Sequence, residues 1–267
     1  MKVIRDVAYA AEYGERGRLD VLLSEGAEGR PVVMVIHGGG LQALNKERME
    51  GVAAFLVERG FAVVNTNYRL LPAHPFPAQV EDVLRVCGWV RETEQEELVR
   101  QDRSRVALLG ASAGAYLAMA VGLMLGREEV AGIVAISGGV RRLKGADEDD
   151  PLAAPPVELV SAEAPPLLAT HSRNDGLVAR EHSVEIVEKL QAAGAEARLY
   201  LYDGPGELHG IWRDAEATPV RLFAHIEDVI AEFLAQATGR QAHCPWMATS
   251  VMLFQVLAEL PWHMMRM

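Results

Sequence analysis

Cysteine is scarce. Cys87 and Cys244 are the two in 267 residues, far apart in the chain. Two cysteines cannot make a disulfide framework, so the expectation is two free thiols in a reducing compartment. Long apolar runs are missing too. No stretch reaches the roughly 18 uncharged apolar residues of a membrane-spanning helix, so no transmembrane segment is expected. The opening Met1-Lys2-Val3-Ile4-Arg5-Asp6 puts charge where a secretory leader keeps an apolar core, and the predicted location is cytoplasmic. No long basic run occurs, and 26 Lys and Arg against 37 Asp and Glu leave a net charge of −11. An acidic chain of this kind argues against a nucleic-acid partner. It does not identify a substrate, because negative net charge mostly serves solubility. No His, Cys and Asp cluster has metal-ligand spacing, so neither metal nor cofactor is expected. There is no internal repeat.

What the chain does have is apolar residues, at 50% of the total, enough for a large core. They fall in short runs with turn signals between them. Residues 3–9 and 18–23 predict an antiparallel opening pair, joined by a turn from Gly14 to Gly17. Residues 32–36 are a continuous apolar run, as in a strand buried on both faces, and 61–65, 105–109, 132–136 and 167–170 read as further strands rich in apolar residues. Residues 196–202 alternate like a strand near a sheet edge. Helical spacing is read over 46–59, from about 78 to 97, 115–125, 179–193 and 218–237. Alternating strands and helices predict a mostly parallel twisted sheet of about eight strands with helices on both faces. Right-handed crossovers then place every parallel strand's C-terminal end on one edge. Residues 138–165, rich in Pro, Gly and acid, read as a surface excursion over that edge and a candidate lid.

Three strand ends carry polar motifs. Gly110-Ala111-Ser112-Ala113-Gly114 lies between an apolar strand and an apolar, proline-free helix. Alone, this pattern reads equally as a structural Gly/Ser turn. In this context it has the order of a nucleophile elbow, where residues without side chains flank a serine on a strained turn. A serine hydroxyl is a poor nucleophile near pH 7 and needs an adjacent base and a group to orient that base. His209, in a Gly-flanked loop after the last strand, is the favoured base. His182 and His225 fall in helices, His243 and His263 in the tail, and His74 in a proline-rich loop. His37 and His171 end strands and are expected to brace the loops that follow. Asp175, also after a strand, is the favoured acid. Asp203 and Asp214 are rivals by position, although Asp203, six residues before His209, leaves the same strand. His37-Gly38-Gly39-Gly40 follows another strand and reads either as a tight turn or as backbone donors to a developing oxyanion. The N–H of Ala113, just after the serine, would be a further donor.

With the run Asn67-Tyr68-Arg69-Leu70-Leu71-Pro72-Ala73-His74-Pro75-Phe76-Pro77-Ala78, these motifs resemble the hormone-sensitive-lipase-like branch of the α/β-hydrolase esterases. The short length and small excursion are more similar to its compact relatives, the feruloyl/acetyl-esterase-like and kynurenine-formamidase-like enzymes. The resemblance spans about residues 18–237. It implies an α/β-hydrolase fold with Ser112 as nucleophile, Asp175 and His209 as its partners, and Gly39, Gly40 and Ala113 as the oxyanion hole. The implied activity is hydrolysis of small-molecule carboxylic esters, with arylformamidase or feruloyl/acetyl esterase as alternatives. A catalytically silent binding module usually lacks a triad member, and all three are present here. Leu41 stands where the compact relatives usually have an aromatic residue, and Ala73 replaces a common acidic one. The first of these departures bears on the pocket rather than on the triad. Residues 1–238 are expected to form the catalytic domain. Residues 239–267, with their Met and Leu stripe, are expected to form a packing helix or a homodimer contact.

Overall fold

The predicted strands pair into one sheet. The computed structural model describes residues 1–203, 209–214 and 216–240. The strands are β1 (Lys2–Ala8), β2 (Arg18–Leu23), β3 (Pro31–Ile36), β4 (Ala62–Thr66), β5 (Asp102–Ala111), β6 (Val130–Ile136), β7 (Leu167–Ser172) and β8 (Ala197–Tyr202). Their order across the sheet is β1-β2-β4-β3-β5-β6-β7-β8. β1 with β2 and β2 with β4 run antiparallel, and every other pair is parallel. The helices among the described residues are α1 (Glu50–Glu58), α2 (Ala78–Glu92), the one-turn α3 (Glu96–Val99), α4 (Ala113–Leu125), α5 (Glu181–Ala192) and α6 (Ala224–Ala237).

The two-residue period of a strand explains why β3 is apolar throughout. Val32, Met34 and Ile36 face a core shared with Val83 of α2, Leu117 of α4 and Ile186 of α5. Val33 and Val35 face the opposite core, with Leu56 of α1 and Ile230 and Phe233 of α6. Each such side chain, fully buried, contributes roughly 1.5–3 kcal/mol. α4 is buried from Gly114 to Leu123 because it lies between β5 and β6 below and α2 above. A helix enclosed on all sides has no need of a polar stripe. The parallel register sets strand ends level, with Ile36 beside Gly110, Ala111 beside Ile136, and Ile136 beside Thr170. That level edge is where the site forms.

Two helix boundaries differ from expectation. The helix predicted from 78 to 97 stops at Glu92, and Thr93 turns extended (ψ 141°) before α3 begins. Glu92, Glu94, Glu96 and Glu97 crowd a helix C-terminus, where negative charge opposes the helix dipole. Arg103 then donates to the carbonyls of Val90 and Thr93 at 3.1 and 2.8 Å and fixes the break. The helix predicted from 218 starts at Ala224. Pro219 disfavours the α conformation at the residue before it. The stretch is also committed elsewhere: Trp212 bridges to Leu222, Arg213 N–H donates to Arg221 O, and Val220 N–H donates to Arg48 O.

Residues 138–165 hold two short 3-10 turns, Pro151–Ala153 and Pro156–Glu158, which touch α2, α4 and α5. Cys87 is a buried free thiol whose pKa burial pushes up to about 12. Cys244, and the tail role predicted for 239–267 apart from Gly239 and Arg240, lie outside the described residues. No helix among the described residues is long and apolar enough to cross a membrane.

Candidate active site

Ser112 sits between β5 and α4 with φ 54° and ψ −118°, a conformation that side-chain-bearing residues rarely adopt. The turn is this tight because nothing fits beside it. A Cβ on Gly110 would lie 2.1 Å from Gly114 O, and one on Gly114 would lie 2.2 Å from Ile36 O. The Ser112 N–H is tied to Ile136 O of the neighbouring strand at 2.8 Å. The strain therefore rests on two strand ends.

Three of the predicted site residues meet. Ser112 Oγ lies 2.8 Å from His209 Nε2. His209 Nδ1 lies 3.0 and 3.1 Å from the two Asp175 oxygens. The carboxylate can only accept, so the His209 proton is on Nδ1, and Nε2 offers a lone pair to the serine hydroxyl. The Asp175 side chain is fully buried, and that of His209 is 26% exposed. Burial alone would raise the Asp175 pKa. The N–H groups of Val178 and Leu177, each 2.9 Å from Oδ1, together with His209, override it and hold the carboxyl below its usual range. The rivals go elsewhere: Asp203 pairs with Arg173 at 3.1 Å, and exposed Asp214 accepts from Glu216 N–H. His225 stacks near Tyr202 and Phe223.

The glycine loop after β3 touches the elbow, since a Cβ on Gly38 would meet Ser112 Cβ at 3.2 Å. Gly39 takes φ 102° and leaves no room for a side chain, with Ala43 O 2.1 Å from where a Cβ would stand. His37 Nδ1–H donates to Gly38 O at 2.7 Å, and burial lowers its pKa to about 4, so the ring is neutral. Tyr68 stacks on that ring at 4.2 Å, and its hydroxyl lies 3.0 and 3.1 Å from the carbonyls of His37 and Gly38. His37 thus braces the loop, as its strand-end position implied. Ala113 is the first residue of α4, so its N–H has no intrahelical carbonyl to meet.

A cavity of about 360 Å³ opens at Ser112, walled by Leu44, Arg48, Met49, Leu177 and Trp212. No residue of 138–165 is among those lining it. Two contributors escaped the sequence reading. Ser137, buried at the end of β6 with φ 52°, accepts the Gly210 N–H on its Oγ at 3.2 Å and so holds the residue after His209. Trp212 packs on Gly210, where a Cβ would lie 2.1 Å from the indole nitrogen. The strand-end Ser137-Gly138-Gly139 was the available signal for the first.

An eight-stranded, mostly parallel sheet with a strained serine between strand and helix, seen among the described residues, is the α/β-hydrolase fold. Residues 19–144 match the BD-FAE family model. The chain is similar to the probable carboxylic ester hydrolase LipM of Mycobacterium tuberculosis, at 26% identity over 90% of this chain and 64% of LipM. It is also similar to the carboxylesterase NlhH of the same species, at 40% identity over 32% of this chain and 26% of NlhH. The chain thus spans less than two thirds of the length of these relatives. Among solved structures, a carbohydrate esterase from gut microbiota superposes with a TM-score of 0.74 at 20% identity, covering 90% of this chain and 97% of that one. The esterase Est2 of Thermogutta terrifontis, bound to propionate, gives 0.73 at 18% identity over 90% and 96%.

Proposed function

We propose that the chain is a serine carboxylesterase that hydrolyses small carboxylic esters through an acyl-enzyme. The observation that carries this reading is the unbroken hydrogen-bond chain Ser112–His209–Asp175 at the mouth of a cavity. Ser112 Oγ attacks the acyl carbon as His209 Nε2 takes its proton. The negative charge gathered on the carbonyl oxygen is met by the N–H groups of Gly39, Gly40 and Ala113, each worth roughly 3–4 kcal/mol in the transition state. His209 passes the proton to the leaving alcohol, and Asp175 holds the imidazole tautomer throughout. Water, deprotonated by His209, then attacks the acyl-enzyme and releases the acid, restoring Ser112.

The cavity is near the low end of the roughly 300–1,000 Å³ typical of small-molecule sites, which supports short acyl chains of about eight carbons or fewer. The names of LipM and NlhH support ester hydrolysis. Trp212 offers an aromatic face, which keeps a feruloyl ester and an N-formyl arylamide as second readings. The cytoplasmic location and the subunit-contact role of 239–267 belong to this proposal. Removing that segment is expected to lower the mass in solution, and an unchanged monomer would refute the contact. The function itself is tested with p-nitrophenyl esters from acetyl to decanoyl, beside a feruloyl ester and N-formylkynurenine. A preference at or below about eight carbons is expected. Faster cleavage of the formamide would move the assignment to arylformamidase.

A further inference from the structure

His171 ends β7 four residues before Asp175, and its ring is fully buried. Nδ1 lies 2.8 Å from the hydroxyl of Ser183 in α5. Nε2 lies 2.9 Å from Val178 O and 3.2 Å from Asp175 Oδ2. A carbonyl and a carboxylate only accept, so the ring proton is on Nε2. Nδ1 of the neutral ring then accepts the Ser183 hydroxyl proton. The Asp175 loop is closed on itself by these contacts: Val178 N–H donates to Asp175 Oδ1 while Val178 O takes the His171 proton. Ser183, itself buried, orients the ring from the neighbouring helix.

We propose that His171 is a positioning residue for the reaction, which divides one Nε2–H between Val178 O and Asp175 Oδ2 and thereby sets how Asp175 faces His209. The inference rests on the Ser112–His209–Asp175 reading given above. It extends that chain to five side chains in polar contact: Ser183, His171, Asp175, His209 and Ser112, with the His171–Asp175 link a 3.2 Å contact between Nε2 and Oδ2. The titratable groups that act on His171 are Asp175 and His209. Desolvation lowers the pKa of His171 and favours the neutral ring that these contacts require. With His171 gone, Oδ2 keeps His209 as its side-chain donor among the described residues. The less-shared carboxylate then holds a proton on His209 more strongly, and the acid limb of activity moves to higher pH.

The test compares His171→Phe, which keeps a ring and loses the donor, with His171→Gln, whose amide nitrogen reaches the place of Nε2. Turnover of p-nitrophenyl acetate is measured from pH 5 to 9, with rates divided by the active sites titrated with a fluorophosphonate. For H171F the expectation is a kcat about 10- to 100-fold lower, KM within about twofold, and an acid limb displaced upward. H171Q is expected to recover most of kcat and the wild-type limb. Equal losses in both variants with an unmoved limb would overturn the proposal, and so would unchanged rates in both. Should H171F not fold, Ser183→Ala decides, because it removes the hydroxyl that orients the ring and leaves the ring in place: an upward displacement of the limb is expected, and an unmoved limb refutes. A Ser112→Ala control separates the two claims. If it retains activity, the triad reading falls and the inference with it; if it is inert while the His171 variants keep the wild-type limb, the positioning role alone falls.

Discussion

Asp175→Asn changes one atom, and the structure fixes which one. Leu177 N–H and Val178 N–H both point at Oδ1 at 2.9 Å, so the amide oxygen must take that place. The NH2 group then stands at Oδ2, facing Nδ1–H of His209 at 3.0 Å and the Nε2 proton of His171 at 3.2 Å. Donors would meet donors there, and the amide oxygen 3.1 Å from Nδ1 is already taken by two backbone N–H groups. His209 escapes by moving its proton to Nε2, 2.8 Å from Ser112 Oγ, and the lone pair that should accept the serine proton is gone. In a serine protease the same exchange costs about 10⁴ in kcat with geometry intact, which is about 5.4 kcal/mol in the barrier. We expect D175N to lose kcat on p-nitrophenyl acetate by about that factor, with KM changed by no more than about threefold. A folded D175N enzyme with more than about 1% of wild-type kcat would refute this account of the tautomer.

Three further outcomes follow from named contacts. Lys46, 2% exposed, places its ammonium 2.8 Å from the equally buried Asp20, and Lys46→Met leaves that carboxylate under-compensated. A loss of about 3–5 kcal/mol, read by urea denaturation, is expected, and a loss below about 1 kcal/mol would refute the pairing's role. Tyr68→Phe removes the hydroxyl that reaches the carbonyls of His37 and Gly38; kcat should fall by about 10-fold with KM nearly unchanged, and a KM effect alone would place Tyr68 in substrate binding instead. The depressed Asp175 carboxyl binds fewer protons folded than unfolded, so its contribution is complete above the ordinary carboxyl pKa of about 3.9 and is lost as pH falls through the lower folded value. Denaturation between pH 3 and 7 should therefore show a shallower acid loss in D175N than in wild type, and parallel curves would contradict the shift.

The parts legible in the sequence are those specified by neighbours in the chain. β3 announces itself because both its faces are buried, and the elbow because its two glycines stand two residues either side of the serine, Gly110 against Gly114 O and Gly114 against Ile36 O. Asp175 and His209 were reachable because parallel topology sends their strands to one edge. What was illegible is decided across the fold. The end of α2 depends on Arg103 capping it from the next strand, and the late start of α6 depends on the pairing of Trp212 with Leu222, Arg213 with Arg221 and Val220 with Arg48. Ser137 matters because its Oγ accepts the Gly210 N–H, a partner that its strand-end Ser-Gly-Gly pattern does not name. The strand-end position of His171 suggested a brace, but its link to both Val178 and Asp175 required coordinates.

The most direct test of the account is mass spectrometry of the protein after reaction with a fluorophosphonate ester. A single adduct on the peptide carrying Ser112 is predicted, formed in proportion to lost hydrolysis of p-nitrophenyl acetate and absent in inactive Ser112→Ala. Labelling at another residue, or hydrolysis that survives in Ser112→Ala, would contradict the assignment of Ser112 as nucleophile.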